Sequence, residues 1–225
     1  MINNKKIIGL DVGGTHVTAG LIDTGDMISK PLHLIRKNFS SDAMAHDIIA
    51  NIGECIKQIE QLAGAVEAVG IAFPGPCIYE KGVIALANVG GKFEQAFGLN
   101  MEQALMDFSG LPTIPFQFSN DADCFAVGAR HKCGLNGKRT ILLTLGTGFG
   151  SAFMADGCLV NSHTGIPASG MFFNQDFNGS AADEYFSTRW FSNEYKSVTG
   201  KEISSVKSLL ASDADTAALL LNSLG

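Results

Sequence analysis

The fold is decided by residues 6–23, KIIGLDVGGTHVTAGLID. Apolar residues at 7–10 lead into the glycine pair 13–14, and apolar residues then alternate with others over 17–21. Apolar runs on both sides of a glycine pair predict two antiparallel strands joined by a tight turn. The N-terminal part of the chain is therefore predicted to form a β-hairpin with glycine in its turn.

A second segment, KRTILLTLGTGFGSAFMADGCLV at 138–160, repeats this arrangement of strand, glycine turn and strand. When the two segments are aligned, Gly13 falls on Gly146 and Asp23 falls on Asp156. A repeated unit of this kind indicates two structural units of the same type. We therefore predict an α/β protein with two domains of related topology, residues 1–115 and 116–225.

Two helices are predicted between these hairpins, within 41–64 and 99–110, from apolar residues at helical spacing. The expected caps are Ser40 or Ser41 and Gly64 for the first helix, and the pair Asn100 and Gln103 with Gly110 for the second. A strand is predicted at 113–118, with a helix starting near 119–121. The tail from residue 180 onward predicts helices without a further strand.

The composition favours a globular protein that acts on small molecules. Of the 225 residues, 46% are hydrophobic and 17% are charged, and the net charge of -6 offers no basic surface for nucleic acid. The five cysteines show no CxxC pair and no zinc-site spacing, so we interpret them as reduced core thiols. No signal peptide or membrane-spanning run is recognisable. We therefore expect a cytoplasmic protein without a nucleic-acid or membrane partner.

The two glycine turns suggest a phosphate-bearing ligand, because glycine lets backbone N–H groups approach a phosphate closely. GTGFGS at 146–151 narrowly misses the dinucleotide-binding motif GxGxxG, and it continues as a strand where that motif opens a helix. GGK at 90–92 is followed by Phe93, so it is not a P-loop. A hairpin-type phosphate clamp is the interpretation that remains.

Four segments in order, GLDVGGT at 9–15, GIAFPGP at 70–76, SNDAD at 119–123 and LGTGFG at 145–150, resemble the signature of the ROK family. That family contains sugar kinases and related repressors within the actin, hexokinase and Hsp70 superfamily. The resemblance implies two ribonuclease-H-like (actin-like ATPase) domains with an interdomain cleft. It also implies ATP-dependent phosphorylation of a sugar hydroxyl, glucokinase-like or N-acetylhexosamine kinase-like, by a homodimer.

The resemblance assigns roles to particular residues. Asp11 would lie near the magnesium ion of ATP. Asp121 would take the proton from the attacking sugar hydroxyl, with Asn120 and Asn88 binding the sugar. The expected phosphate-binding residues are Gly13, Gly14, Thr15, Gly146, Thr147 and Gly148. A positioned carboxylate is needed because a hydroxyl is a poor nucleophile, and a general base contributes about 10²- to 10⁴-fold.

Simpler interpretations exist for most of these residues. Asp121 is also a favourable helix cap, and the glycine pairs are also ordinary hairpin turns. Thr15 is compatible with a turn role alone. Asp11 has a stronger functional case, because a carboxylate buried in an apolar strand would lose its hydration without a partner.

The sequence departs from the family pattern after residue 160. Where sugar-phosphorylating members carry a glutamate and a zinc-binding histidine, this chain has Ala168 and Met171, and no cysteine follows Cys158. We therefore expect no zinc site and altered sugar recognition. The chain also ends about where related kinases continue into the segment that forms the adenine pocket, so we expect the C-terminal domain to lack that segment.

Three hypotheses follow from these observations. The first is a zinc-less, divergent sugar kinase that uses Mg²⁺ and ATP. The second is a catalytically weak or inactive carbohydrate-binding or regulatory homologue, and the third is a nucleotide hydrolase that does not act on sugars. The repressor branch is disfavoured, because six residues before the first strand leave no room for a DNA-binding domain.

Overall fold

The computed structural model describes residues 5–26, 30–85, 93–135, 137, 139–203 and 205–222. The chain divides into two compact units, Met1–Cys133 and Gly134–Gly225. Within the described residues, no helix has both the length and the apolar character needed to cross a bilayer.

The first unit contains a five-stranded sheet and three helices. Its strands are β1 (Lys6–Val12), β2 (His16–Asp23), β3 (His33–Asn38), β4 (Ala68–Phe73), the short β5 (Cys77–Ile78) and β6 (Val83–Ile84), and β7 (Phe116–Asn120). Its helices are α1 (Ala45–Ala63), α2 (Met101–Ser109) and α3 (Asp121–Cys133), and short 3-10 turns lie at Tyr79–Lys81 and Glu94–Ala96.

The main sheet has the order β3-β2-β1-β4-β7. The predicted hairpin is confirmed, since β1 and β2 pair antiparallel with Val12 opposite Val17. β4 pairs in parallel with both β1 and β7. The carboxyl ends of β1, β4 and β7 therefore lie at one edge of the sheet.

One face of this sheet forms the core. Alternate residues of β1, namely Ile8, Leu10 and Val12, are buried together with apolar residues of α1 such as Ile52 and Ile56. The period of two in the strand and the period of 3.6 in the helix place these residues on facing surfaces. The intervening positions Gly9 and Asp11 belong to the other face of the sheet.

The helix ends follow the sequence only in part. Gly64 and Gly110 end α1 and α2 as predicted, and the Asn100 side chain caps α2 by accepting the N–H of Gln103. The prediction of Ser40 or Ser41 as the cap of α1 is wrong, because Met44 occupies that position without a side-chain cap bond. Ser41 instead donates its N–H to the Gly14 carbonyl, 3.0 Å away.

The first unit extends beyond the predicted domain boundary after residue 115. β7 begins at Phe116 and joins the sheet of the first unit, and α3 follows directly from it. Backbone hydrogen bonding between β4 and β7 is what ties this segment to the N-terminal side. The assignment of residues 1–115 and 116–225 as domains stays a prediction.

The second unit opens with the second predicted hairpin, which is confirmed. Its strands are β8 (Arg139–Leu145), β9 (Phe149–Ala155), β10 (Cys158–Leu159), β11 (Asp176–Phe177) and β12 (Ser180–Ala181). Its helices are α4 (Ala182–Tyr185), α5 (Thr188–Thr199), α6 (Val206–Ser212) and α7 (Ala214–Asn222). The tail is helical as predicted except at β12, which pairs with β11.

The cysteines are free but are not all core thiols. Cys55 is buried, and Cys77 and Cys124 are half-buried. Cys133 and Cys158 are exposed, so the prediction of a core position is wrong for these two. Both lie at the end of an element, Cys133 at the last residue of α3 and Cys158 in the short β10, where little chain packs over them.

Candidate active site

The candidate site of the first unit lies at the carboxyl edge of its parallel strands. Asp11 of β1 is in register with Ala72 of β4, and Ala72 is in register with Ser119 of β7. Asn120 ends β7, and Asp121 begins α3. Neighbouring strands lie about 4.8 Å apart, so β1 and β7 are on the order of 10 Å apart. The topology therefore brings the two predicted aspartates to the same edge, where open α/β sheets bind ligands.

Asp11 is exposed to solvent. The expectation that it is a buried carboxylate is wrong, because it faces the side of the sheet opposite α1 and α2. That side of the sheet borders a groove of about 360 Å³, and its lining includes Gly9, Asp11, Gly70 and Ser119. Small residues keep the groove open, since a Cβ at Gly70 would meet no other atom within 4 Å. The accessible carboxylate is consistent with a ligand-binding role.

The first glycine turn is held by the segment that follows β3. The Gly13 N–H donates to the His16 carbonyl at 2.9 Å and closes the turn. The carbonyls of Gly14 and Thr15 accept the N–H groups of Ser41 and Phe39, each at 3.0 Å. Because these bonds engage carbonyl oxygens, the turn is fixed on its acceptor side.

Asn120 and Asp121 both contact the first turn of α3. Asn120 Oδ1 accepts the N–H groups of Ala122 at 3.0 Å and Asp123 at 3.3 Å, which makes Asn120 a side-chain cap of this helix. Asp121 Oδ1 accepts the Ala122 N–H at 2.9 Å. Capping is therefore shared, and it does not depend on Asp121 alone.

Tyr79 is a residue that sequence reasoning missed. Its hydroxyl lies 3.0 Å from Asn120 Nδ2 and 3.3 Å from the carbonyl oxygen of Phe73. Tyr79 begins the short 3-10 turn that follows β5, and it precedes Asn120 by 41 residues. A single tyrosine in a loop carries no sequence pattern, so this contact is visible only in three dimensions.

The beginning of α3 has a negative local field. Burial, reinforced by the neighbouring Asp121, raises the pKa of Asp123. Burial also raises the pKa of the Cys124 thiol, with further contributions from the carboxylates of Asp123, Asp121 and Asp11. Asp11 and Cys124 also line the same groove, which places Asp11 beside the beginning of α3.

The second glycine turn is held by residues that follow it in the second unit. The Gly146 N–H donates to the Gly148 carbonyl at 3.0 Å. The Gly146 carbonyl accepts both the N–H and the hydroxyl of Thr188, each at 2.8 Å. The N–H of Phe149 donates to Asp183 Oδ1 at 2.6 Å, and the guanidinium of Arg189 donates to Asp183 Oδ2 at 2.9 Å. Thr147 is exposed at the tip.

Asp183 and Thr188 were also missed by sequence reasoning. They lie in the passage that departs from the family pattern, where attention was on the absent histidine and cysteines. The sequence DEYFST at 183–188 resembles an ordinary start of a helix. Aromatic pairs support the passage, including Phe149 with Phe186, whose ring centroids are 5.1 Å apart.

Neither the predicted sugar contact Asn88 nor a metal ion can be placed within the described part of the chain. Asn88 lies outside the described residues. Among the residues that the structure describes, no three or more His, Cys, Asp or Glu side chains are grouped so as to hold a metal ion. Near the departure positions, the Phe172 N–H donates to Ser151 Oγ at 2.9 Å, which joins the passage to β9.

Comparison with known proteins identifies related sequences. The model of the ROK family matches residues 7–171. A glucokinase from Thermotoga maritima is 27% identical over 164 residues, covering 72% of this chain and 49% of the relative. An N-acetyl-D-glucosamine kinase from Yersinia enterocolitica is 27% identical over 161 residues, covering 70% and 49%. The chain thus spans about half the length of these curated relatives.

Solved structures share the fold. A ROK hexokinase from Thermus thermophilus has a TM-score of 0.67 at 20% identity and covers 96% of this chain and 72% of its own. A ROK family glucokinase from Streptomyces griseus, in complex with glucose and AMPPNP, has a TM-score of 0.65 at 22% identity, with coverages of 87% and 62%. These similarities confirm the predicted α/β fold, which this chain shares with the two ROK-family structures.

Proposed function

This chain belongs to the ROK family, and we propose that it acts in the ATP-dependent phosphorylation of a sugar hydroxyl. The observation that carries the proposal is the placement of Asp121 at the same sheet edge as the exposed Asp11 and the first glycine turn. The relatives named glucokinase and N-acetyl-D-glucosamine kinase indicate hexoses or N-acetylhexosamines as substrates.

Asp121 is proposed as the general base. Its carboxylate would accept the proton of the sugar hydroxyl as the hydroxyl oxygen forms a bond to the γ-phosphorus and the bond to the β-phosphate oxygen breaks. Asn120 beside it would donate a hydrogen bond to the sugar. Asn88, which lies outside the described residues, is proposed as a second sugar contact.

The two glycine turns are proposed as phosphate-binding elements, Gly13 to Thr15 in one unit and Gly146 to Gly148 in the other. Both turns are fixed through their carbonyl oxygens by neighbouring segments. The N–H groups of Gly13 and Gly146 close the two turns. The phosphate contacts are therefore proposed for the N–H groups of Gly14 and Thr15 and of Thr147 and Gly148, which would stabilise phosphate charge without rearranging during the reaction.

Asp11 fits a magnesium ion that arrives with ATP. Magnesium is usually held by one or two carboxylates together with phosphate oxygens and waters, and Asp11 supplies one accessible carboxylate. When bound, the ion supplies neutralisation of charge on the phosphate oxygens. The homodimer implied by the family resemblance and the cytoplasmic location expected from the sequence both stay predictions.

The test is a coupled assay with ATP, magnesium and either D-glucose or N-acetyl-D-glucosamine. We expect turnover in the wild type and a loss of about 10²- to 10⁴-fold in kcat for Asp121→Asn. Asp107→Asn is the control, because Asp107 lies near the end of α2 that leads to the start of β7, and that start lies at the opposite edge of the sheet. It should leave kcat within about twofold.

Other outcomes would reject this function. Sugar-dependent thermal stabilisation without turnover would favour a carbohydrate-binding homologue. Ala168 and Met171, which stand where the family pattern has a glutamate and a histidine, favour this alternative. ATP hydrolysis at the same rate with and without sugar would favour a nucleotide hydrolase. Equal activity in the wild type and Asp121→Asn would remove Asp121 from the mechanism.

A further inference from the structure

The hydroxyl of Tyr79 links the ends of two parallel strands. It lies 3.3 Å from the carbonyl oxygen of Phe73, the last residue of β4, and 3.0 Å from Nδ2 of Asn120, the last residue of β7. Phe73 and Asn120 are also direct partners in the strand register. Tyr79 is half-buried and packs against the core, so its ring holds the hydroxyl at this position.

The direction of these hydrogen bonds is set by the chemistry of the groups. A backbone carbonyl can only accept, so the Tyr79 hydroxyl donates its single proton to Phe73. The same oxygen can then only accept from the amide of Asn120. The bond therefore requires that the –NH₂ end of Asn120, rather than its carbonyl end, points toward Tyr79.

The contacts of the amide oxygen of Asn120 favour the same orientation of the side chain. Asn120 Oδ1 accepts from two backbone N–H groups, those of Ala122 and Asp123. A reversed amide would place –NH₂ against these two donors. The Asp123 N–H would then lose its acceptor, while the Ala122 N–H would keep Asp121 Oδ1 alone. Two separate sets of contacts thus select a single orientation of Asn120.

The hydroxyl of Tyr79 remains protonated across the physiological range. Burial raises the pKa of Tyr79, and the nearby Cys77, Asp121 and Asp123 raise it further, while the hydrogen bond from Asn120 acts in the opposite sense. A protonated hydroxyl is required for the donation to Phe73. The link is therefore expected to be insensitive to pH wherever the protein is folded.

We propose that Tyr79 is a positioning residue that makes Asn120 a hydrogen-bond donor toward the acceptor sugar. This inference rests on the proposed function. With Oδ1 committed to α3 and one N–H committed to Tyr79, Asn120 has one N–H left for a ligand. The sugar hydroxyl that meets Asn120 must accept this bond, and its own proton is left for another partner.

The test uses Tyr79→Phe, which removes the hydroxyl and keeps the ring. Loss of one neutral hydrogen bond predicts a rise of about two- to twelvefold in KM for D-glucose or N-acetyl-D-glucosamine. KM for ATP should stay within about twofold. Tyr185→Phe is the matched control, since the Tyr185 hydroxyl also lies 3.3 Å from a backbone carbonyl, that of Asn178 in the second unit.

A double-mutant cycle separates positioning from general stability. If Tyr79 acts through Asn120, Tyr79→Phe should leave the sugar KM unchanged in an Asn120→Ala background. Additive effects of the two substitutions on this KM would overturn the proposal. A rise in KM for ATP equal to the rise for the sugar would also overturn it.

Hydrogen exchange distinguishes failure of this inference from failure of the proposed function. The amide of Asp123, which donates to Asn120 Oδ1, should exchange faster in Tyr79→Phe than in the wild type, whether or not the protein phosphorylates a sugar. Ala122 serves as an internal reference, because its N–H also donates to Asp121 Oδ1. Unchanged exchange at Asp123 would overturn the link itself. If exchange increases but the wild type neither binds nor phosphorylates either sugar, the link braces α3 only, and the substrate role is rejected.

Discussion

Gly53→Ala tests the packing that supports the sheet. Gly53 is buried in the middle of α1, and a Cβ built there would lie 2.3 Å from Cδ1, 2.9 Å from Cε1 and 3.0 Å from Cγ of Phe108 on α2. Carbon atoms in contact normally lie about 3.5 to 4.0 Å apart. The ring of Phe108 would therefore have to move by more than about 1 Å.

The sign of the effect depends on two opposing contributions. Alanine improves helix propensity over glycine by about 1 kcal/mol. Overpacking of a formed interface costs about 1 to 3 kcal/mol, and movement of the ring would also disturb Lys57, whose Nζ lies 4.6 Å from the Phe108 centroid. We expect Gly53→Ala to lower the free energy of unfolding by about 0 to 2 kcal/mol.

Gly128→Ala is the control that isolates the steric contribution. Gly128 lies within α3, and a Cβ there would meet no other atom within 4 Å. This substitution should raise the free energy of unfolding by about 1 kcal/mol through helix propensity alone. The two variants should thus differ by about 1 to 3 kcal/mol in urea unfolding followed by circular dichroism.

Phe108→Leu provides the second arm of the Gly53 experiment. If the ring causes the loss, Gly53→Ala should cost less in a Phe108→Leu background than in the wild type. Equal stabilisation by Gly53→Ala and Gly128→Ala would refute the close contact between Gly53 of α1 and Phe108 of α2. So would an unchanged cost of Gly53→Ala in the Phe108→Leu background.

Two further predictions concern Asp183, which binds the second glycine turn, and Asp123, which lies in the first turn of α3. Asp183→Ala removes the acceptor of the Phe149 N–H, so it should lower the free energy of unfolding by about 1 to 3 kcal/mol and speed hydrogen exchange of that amide. The control Glu184→Ala also removes a bond to Arg189 but should leave exchange of the Phe149 amide unchanged. Equal exchange of this amide in both variants would contradict the prediction. Asp123→Asn should stabilise the protein at pH 7 and lose this advantage below the ordinary aspartate pKa of 3.8, as unfolding at pH 3 and pH 7 would show. The sign follows because the raised pKa of Asp123 in the folded state makes the stability of the wild type fall as pH rises above 3.8, and asparagine has no such titration. An Asp123→Asn variant that is less stable than the wild type only at pH 7 would contradict this prediction.

Local patterns predicted the hairpins because each depends on neighbours in the chain. A glycine pair between alternating apolar runs leaves few other structures, and both β1–β2 and β8–β9 formed as predicted. Gly64 and Gly110 ended their helices for the same reason, since a helix end needs only a residue that tolerates an unusual backbone conformation. These features require no knowledge of distant contacts.

The errors arise where a distant contact outweighs a local preference. Ser41 is a favourable cap by residue type, but its N–H bonds to Gly14, far earlier in the chain, and α1 begins after Met44 instead. Asp11 was expected to be buried because its strand is apolar. The strand alternates, however, and the face that carries Asp11 borders a groove whose lining includes Gly9, Gly70 and Ala72. Which face of a strand is covered depends on the packing of the whole sheet.

The passage from residue 168 to α5 shows that comparing a sequence with a family pattern can reveal the residues that are replaced and miss those that take on a new contact. Ala168 and Met171 replace a glutamate and a histidine that the family pattern expects, so the passage indicated a weakened site. In the structure its later part supplies Asp183 and Thr188, which bind the backbone of the second glycine turn at Phe149 and Gly146. These bonds fix the turn through side chains that need no metal. The proposed phosphate-binding geometry of this turn can therefore be retained even though the sugar-binding residues of the family pattern are replaced, and the two properties should be tested by separate substitutions.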